Sequence, residues 1–329
     1  VQHNLAYNLV TGGGIRGVEM FFVISGFLIT SLLIREFEKT GDIAIGRFYF
    51  RRTLRIFPAF YVFMGTIFLL MAFGKIHVDL ASAIGAATYT WALYPNLQSW
   101  IVAHTWSLSI EEFFYLFWPV LFLYSYRRNW KMRTPVILIL IMPLIRLAIY
   151  IGPAMFAGRE PHRVQYWIDT MMIGCLLAIL ESRPVWKDFR RRHLTGLTVS
   201  LLAFFAFFAI PFVPYELPFN KVASFYNVTF ANPLTAICMA GIMIYMIEHE
   251  RSYVGRILNA RWLRHIGVMS YSLYLWQQIF VFKDLHLLPW GIFGAFACGE
   301  ISFWLIEKPA LNFRAKLERR IFHTAPTAI

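Results

Sequence analysis

His104-Thr105-Trp106-Ser107-Leu108-Ser109-Ile110-Glu111-Glu112-Phe113-Phe114-Tyr115-Leu116-Phe117-Trp118-Pro119-Val120-Leu121-Phe122-Leu123 decides how the rest of the chain is read. A histidine and two adjacent acids open a stretch that is otherwise apolar. On a soluble surface such acids are ordinary. At membrane depth a carboxylate costs about 2.5–3.5 kcal/mol on insertion scales, so it needs a partner or a task. Ser107, Glu111 and Tyr115 recur at i, i+4 and i+8 and share one helical face; His104 lies a turn earlier on the same side, and Glu112 points elsewhere. A hydrogen-bond knot between helices and a functional acid both satisfy that pattern.

Composition places the run in a bilayer. Of 329 residues, 58% are hydrophobic, 18% aromatic and only 15% charged, and the mean hydropathy is +0.56. This is the profile of a polytopic membrane protein. The net charge of +13 sits in short loops between apolar runs, which marks it as topogenic and argues against a nucleic-acid partner. Cys175, Cys238 and Cys298 fall inside apolar stretches without metal-type spacing, so no metal site is expected.

A span needs about 20 apolar residues. Nine stretches qualify: 15–34, 56–74, 107–126, 134–152, 166–182, 194–214, 229–247, 266–282 and 288–306. A tenth, 81–94, is too short to cross comfortably and reads as a re-entrant or interfacial piece within an extracytoplasmic segment, 75–106. If it does not cross, one side of the membrane holds 24 of the 31 Lys and Arg residues and the other holds six, with Arg146 inside a span. If it did cross, every loop from 127–133 onward would change sides. The positive-inside rule therefore favours nine crossings with a cytoplasmic tail, 308–329. It also leaves Val1 to Gly14 outside. The chain opens on Val1, so a first helix is expected to be missing, making ten. The expectation is one all-α transmembrane bundle over residues 1–329. Gly12-Gly13-Gly14 reads as a flexible connector, with no P-loop Lys-Ser/Thr after it.

Several other polar residues fall at membrane depth. Glu19 is either an interfacial acid paired with Arg16, its helix neighbour, or an acid facing a polar cavity. Arg52 and Arg55 project from one helix face at the mouth of a span; they either clamp phosphates or anchor the helix to anionic lipid. Arg146 and Asp169 are interior ions of neighbouring spans and candidates to pair. Ser270, Tyr274 and Gln277 form another polar face, and Glu300 is the last buried acid expected, a candidate to bond a neighbouring helix. His3 is bland when read alone.

Taken together these runs resemble the membrane acyltransferase 3 family, which O-acylates cell-surface glycans and other hydroxyl acceptors. Gly17-Val18-Glu19-Met20-Phe21-Phe22-Val23-Ile24-Ser25-Gly26-Phe27 is similar to the family's GVDLFFVLSGF. Phe48 to Pro58 is similar to FYxRRxLRIxP, and Trp106 to Pro119 to WSLxxEEQFYLxWP. Ser270-Tyr271-Ser272-Leu273-Tyr274-Leu275-Trp276 and Ile306-Glu307-Lys308-Pro309 complete the likeness, which covers almost the whole chain. The resemblance implies ten helices, an acyl-CoA donor approached from the cytoplasm, and a catalytic histidine late in the first helix, which is His3 here. It places donor phosphates on Arg52 and Arg55, and the family's Ser-Leu-x-x-Glu on Ser107, Leu108 and Glu111. Three positions depart from the pattern: Glu19 stands for Asp, Phe113 for Gln, and Gln277 for a His found in many members. The family's basic residue about ten positions before its histidine lies outside this chain.

The expected activity is transfer of an acyl group, acetyl above all, from acyl-CoA to a hydroxyl of an extracytoplasmic sugar, polysaccharide or lipid-linked glycan. His3 serves as general base, and Glu19 or Glu111 orients it. Trp106, Ser107, Tyr115, Arg146, Asp169, Ser270 and Tyr274 are expected to support the site. Acyl-CoA is a substrate, so no resident cofactor is expected. Partners are the acceptor, membrane lipid and, where the acyl group is passed on, a separate extracytoplasmic protein. The expected location is the bacterial inner membrane. The rival class is a proton-coupled exporter of a glycan precursor or small metabolite, which intramembrane acids suit equally well.

Overall fold

A computed structural model describes residues 5–94, 97, 99–151, 167–210, 222, 225–280 and 288–322. Among them the structure is helical and contains no strand. The helices are α1 (Leu5–Thr40), α2 (Ile45–Ala72), α3 (Leu80–Ala87), α4 (Trp100–Ala103), α5 (Thr105–Arg127), α6 (Arg133–Ile151) and α7 (Ile168–Glu181). There follow α8 (Pro184–His193), α9 (Leu197–Ala209), α10 (Asn232–Glu248), α11 (Tyr253–Leu258), α12 (Arg261–Phe280), α13 (Leu288–Ser302) and α14 (Lys308–Phe322).

Four helical stretches are long and apolar enough to cross a membrane: Gly14–Thr40, Ile45–Ala72, Trp100–Arg127 and Asn227–Glu248. The pair α8 and α9 adds a fifth if its 88° bend belongs to one span. The remaining predicted stretches lie on α6, α7, α12 and α13, which are not among those four. Residues 81–94 form the eight-residue α3 and a 3-10 turn, Trp91–Leu93, both too short to cross. Apolar side chains point outward while acids point in. Phe117, Leu140, Leu202 and Phe293 are 63–71% exposed, whereas Glu19, Glu111 and Asp169 are at most 6% exposed. That inversion of the soluble pattern marks an integral membrane protein with lipid as its outer solvent.

One expectation is corrected here. Gly12-Gly13-Gly14 is not a connector, because α1 runs through it. Each glycine costs a helix about 1 kcal/mol relative to alanine.

The described helices form two compact units: Val1–Ile43 with Ile110–Arg256, and Ala44–Ser109 with Ile257–Ile329. In the first, α1 lies directly on α7. A Cβ on Gly26 would sit 2.1 Å from the Met171 carbonyl oxygen, and one on Gly174 would sit 2.1 Å from that of Val23. Only glycine permits this approach, the small-residue contact that membrane helices favour. Trp118 Nε1 donates to Thr30 Oγ1 at 2.8 Å, joining α5 to α1. Val23, Ile173, Phe207, Ala236 and Met239 form a core cluster. Arg190 of α8 is buried between Glu181 (2.8 Å) and Glu248 (2.6 Å), binding the ends of α7 and α10.

In the second unit α12 packs on α13, with the site of a Gly299 Cβ only 3.1 Å from Leu273 Cα. Asp79 caps α3 by accepting the Ser82 N–H at 2.8 Å. A π-turn, Phe303–Glu307, joins α13 to α14 ahead of Pro309, and another, Asn227–Ala231, leads into α10 ahead of Pro233. Proline has no N–H to return to the preceding turn, and a widened turn accommodates it.

Candidate active site

The polar residues picked out from the sequence fall into separate clusters within each unit. In the first unit Glu19 on α1 is buried, paired with Arg16, and accepts the Thr235 hydroxyl at 3.5 Å. Of the two expected arrangements, pairing with Arg16 is the one its contacts match, and the carboxylate is covered by protein. Glu111 on α5 is also buried. It accepts hydrogen bonds from the Tyr115 hydroxyl one turn on and from Ser25 of α1 at 3.2 Å. The i, i+4 face of the opening run is thus a hydrogen-bonded one, while Glu112, on another face, is half-buried.

Arg146 on α6 and Asp169 on α7 pair at 2.7 Å, and both are wholly buried. Arg146 Nε also donates to the Val228 carbonyl at 2.6 Å, and Nη2 to that of Thr229 at 3.4 Å. Both acceptors lie in the π-turn before Pro233, which brings no N–H to that turn. Asp169 Oδ1 accepts the Thr170 N–H at 3.0 Å. A buried ion pair holds only when its remaining donors and acceptors are also satisfied, and these bonds do that.

In the second unit the Ser107 and Tyr274 hydroxyls lie 2.6 Å apart and the His104 carbonyl is 3.0 and 3.1 Å from them, so that two hydroxyl protons serve three contacts. Three of the expected residues' contacts therefore converge on the turn where α5 begins. The His104 ring is packed edge-on against Phe63 and Tyr274, and neither ring nitrogen makes a hydrogen bond, although the Leu275 carbonyl faces it. Trp106 is half-buried on the same helix. Ser270 is exposed and donates to the Gly267 carbonyl at 2.9 Å; the buried hydroxyl of this motif is Ser272, which donates to Glu307 at 2.7 Å.

Glu300 is a correction. It is 38% exposed rather than buried, and it bonds His265 of α12 at 2.5 Å and Trp304 Nε1 at 3.0 Å. It therefore bonds the neighbouring helix, from a face of α13 that is only partly covered.

Arg52 and Arg55 are half-buried on α2. Arg52 lies over the Phe48 ring at 5.7 Å, and Arg55 acts electrostatically on Glu307. Two residues unremarked in the sequence join them from α14. Glu318 accepts from Arg47 Nε at 2.7 Å and from Arg51 Nε at 2.8 Å. Burial works against the Glu318 charge, yet the bonds from Arg51 and Arg47 hold its carboxyl below the usual range. Arg314 is the opposite case: burial, and repulsion from Arg55, Arg51 and Arg52, push its guanidinium below its usual range despite Glu318 nearby. The i, i+4 spacing of Arg314 and Glu318 was the available signal, but the tail reads first as topogenic charge. His3 lies outside the described residues. Among the described residues no group of three His, Cys, Asp or Glu side chains is placed to hold a metal ion.

Comparison with known proteins adds a family. A family model for an acyltransferase domain, acyltransferase 3, matches residues 3–307. Peptidoglycan O-acetyltransferase OatA of Listeria monocytogenes is 30% identical over 346 residues, covering 94% of this chain and 53% of the relative. The putative peptidoglycan O-acetyltransferase YrhL of Bacillus subtilis is 27% identical over 362 residues, covering 98% and 54%. O-acetyltransferase OatA of Staphylococcus aureus is 31% identical over 332 residues, covering 95% and 52%. The chain spans about half the length of the curated relatives it matches. No solved structure matches.

Proposed function

Because the chain belongs to the acyltransferase 3 family, we propose that it forms the membrane part of an O-acetyltransferase that moves acetyl from cytoplasmic acetyl-CoA to a hydroxyl of peptidoglycan or a related extracytoplasmic glycan. What carries the reading is that the family match, 3–307, takes in every residue given a catalytic or donor-binding role. The relatives' printed names supply the acceptor class.

In this mechanism the acceptor oxygen attacks the thioester carbonyl carbon. The C–O bond forms as the C–S bond breaks, and CoA leaves as the thiol. His3 takes the hydroxyl proton and returns it to the departing sulfur, work that suits a near-neutral imidazole. Glu19 or Glu111 orients the imidazole and stabilises its charge. Arg52 and Arg55 hold the donor's phosphates, and the cationic surroundings of α2 support that assignment. Ser107, Tyr274 and Trp106 have supporting roles. Nine crossings put the tail in the cytoplasm, as the loop charges favour, and the protein in the bacterial inner membrane.

Arg52→Ala in the full-length protein is expected to raise the apparent KM for acetyl-CoA about tenfold, the effect of one lost charge-assisted contact, with a smaller change in kcat. Steady-state transfer of labelled acetyl measures it. An unchanged KM would return Arg52 to a purely topogenic role.

A further inference from the structure

The cationic cluster on α2 does not end with that helix. Glu318 fastens α14 to α2 through Arg47 and Arg51. Arg314 lies four residues before Glu318, on the same face of α14, and is turned toward the same cluster. It is half-buried, and its Nε is buried with no hydrogen-bond partner. Arg51, Arg52 and Arg55 all act on it electrostatically. Arg314 thus stands beside Glu318 and among the arginines of α2 to which the donor phosphates are assigned, with a buried Nε still to be satisfied. The planar five-donor fork of arginine is shaped for phosphate oxygens.

We propose that Arg314 is a phosphate-binding residue of the donor site, supplied by a helix that lies beyond the family match and held in place by Glu318. The proposal rests on the donor reading of Arg52 and Arg55. Its chemistry, a phosphate mono- or diester held by several guanidinium groups, fits the phosphates of CoA and also an anionic lipid headgroup.

The test is binding of labelled CoA to the full-length protein in nanodiscs of neutral phosphatidylcholine, comparing wild type with Arg314→Gln, Arg314→Lys and Arg320→Gln. Arg320 is an exposed arginine of the same helix. Arg314→Gln is expected to weaken CoA binding about tenfold and Arg314→Lys about threefold, with Arg320→Gln unchanged. Wild-type affinity in both Arg314 variants would overturn the proposal. If Arg314→Gln does not fold, the lysine variant decides by the same criterion. If wild type binds no CoA, the donor reading fails, and retention of phosphatidylglycerol through purification decides instead. Loss of that lipid in Arg314→Gln keeps Arg314 as a headgroup ligand, and equal retention overturns it.

Discussion

Asp169→Leu is expected to destabilise the first unit by about 3–5 kcal/mol, the usual consequence of removing one member of a buried ion pair. The guanidinium left behind is wholly buried and loses its carboxylate, which the Val228 and Thr229 carbonyls cannot replace as counter-charge. It cannot escape by losing its proton, because arginine stays charged in proteins. Arg146→Met is expected to cost less, since the aspartate left behind can neutralise itself by binding a proton. The double variant Arg146→Met/Asp169→Leu should recover most of the loss, as apolar replacements of buried pairs do. Unfolding of the purified full-length protein in increasing SDS ranks the variants. Equal loss in both single variants would mean that the pair is not held together by charge.

His3→Ala should lower acetyl transfer about 10²–10⁴-fold, the range of one general base. The variant should still elute as the folded protein and still bind CoA, because the donor contacts assigned above are on α2 and α14. Turnover within a few-fold of wild type, with the protein intact, would remove His3 from the mechanism.

Much of this architecture is legible in the sequence, for identifiable reasons. Apolar runs place the helices because lipid leaves the backbone no other way to bond. The weakness of 81–94 as a span is legible too, and α3 with its 3-10 turn is correspondingly short. The continuity of α1 through three glycines is not, since glycine propensity in water points the other way. Two interior ions in neighbouring spans make Arg146 and Asp169 candidates to pair, and they do. Their other partners are not legible: Val228 and Thr229 accept through backbone carbonyls, which no residue letter records. Glu300 looks buried in a linear apolar run, but burial depends on which face of α13 is packed. Ser272 and Ser270 differ by a similar rotation, and only the former turns inward to Glu307. Arg314 and Glu318 are hidden by a simpler cause. A basic tail already has an explanation in topology, so its one ordered face goes unsought.

Covalent transfer of acetyl to a glycan differs in its products from movement of a glycan or metabolite across the bilayer. The most direct measurement uses sealed proteoliposomes of the full-length protein, with peptidoglycan fragments on one side and acetyl-labelled acetyl-CoA on the other. The account predicts label in alkali-labile ester on the glycan and free CoA on the donor side. Glycan changing sides with no ester formed would contradict it and point to an exporter.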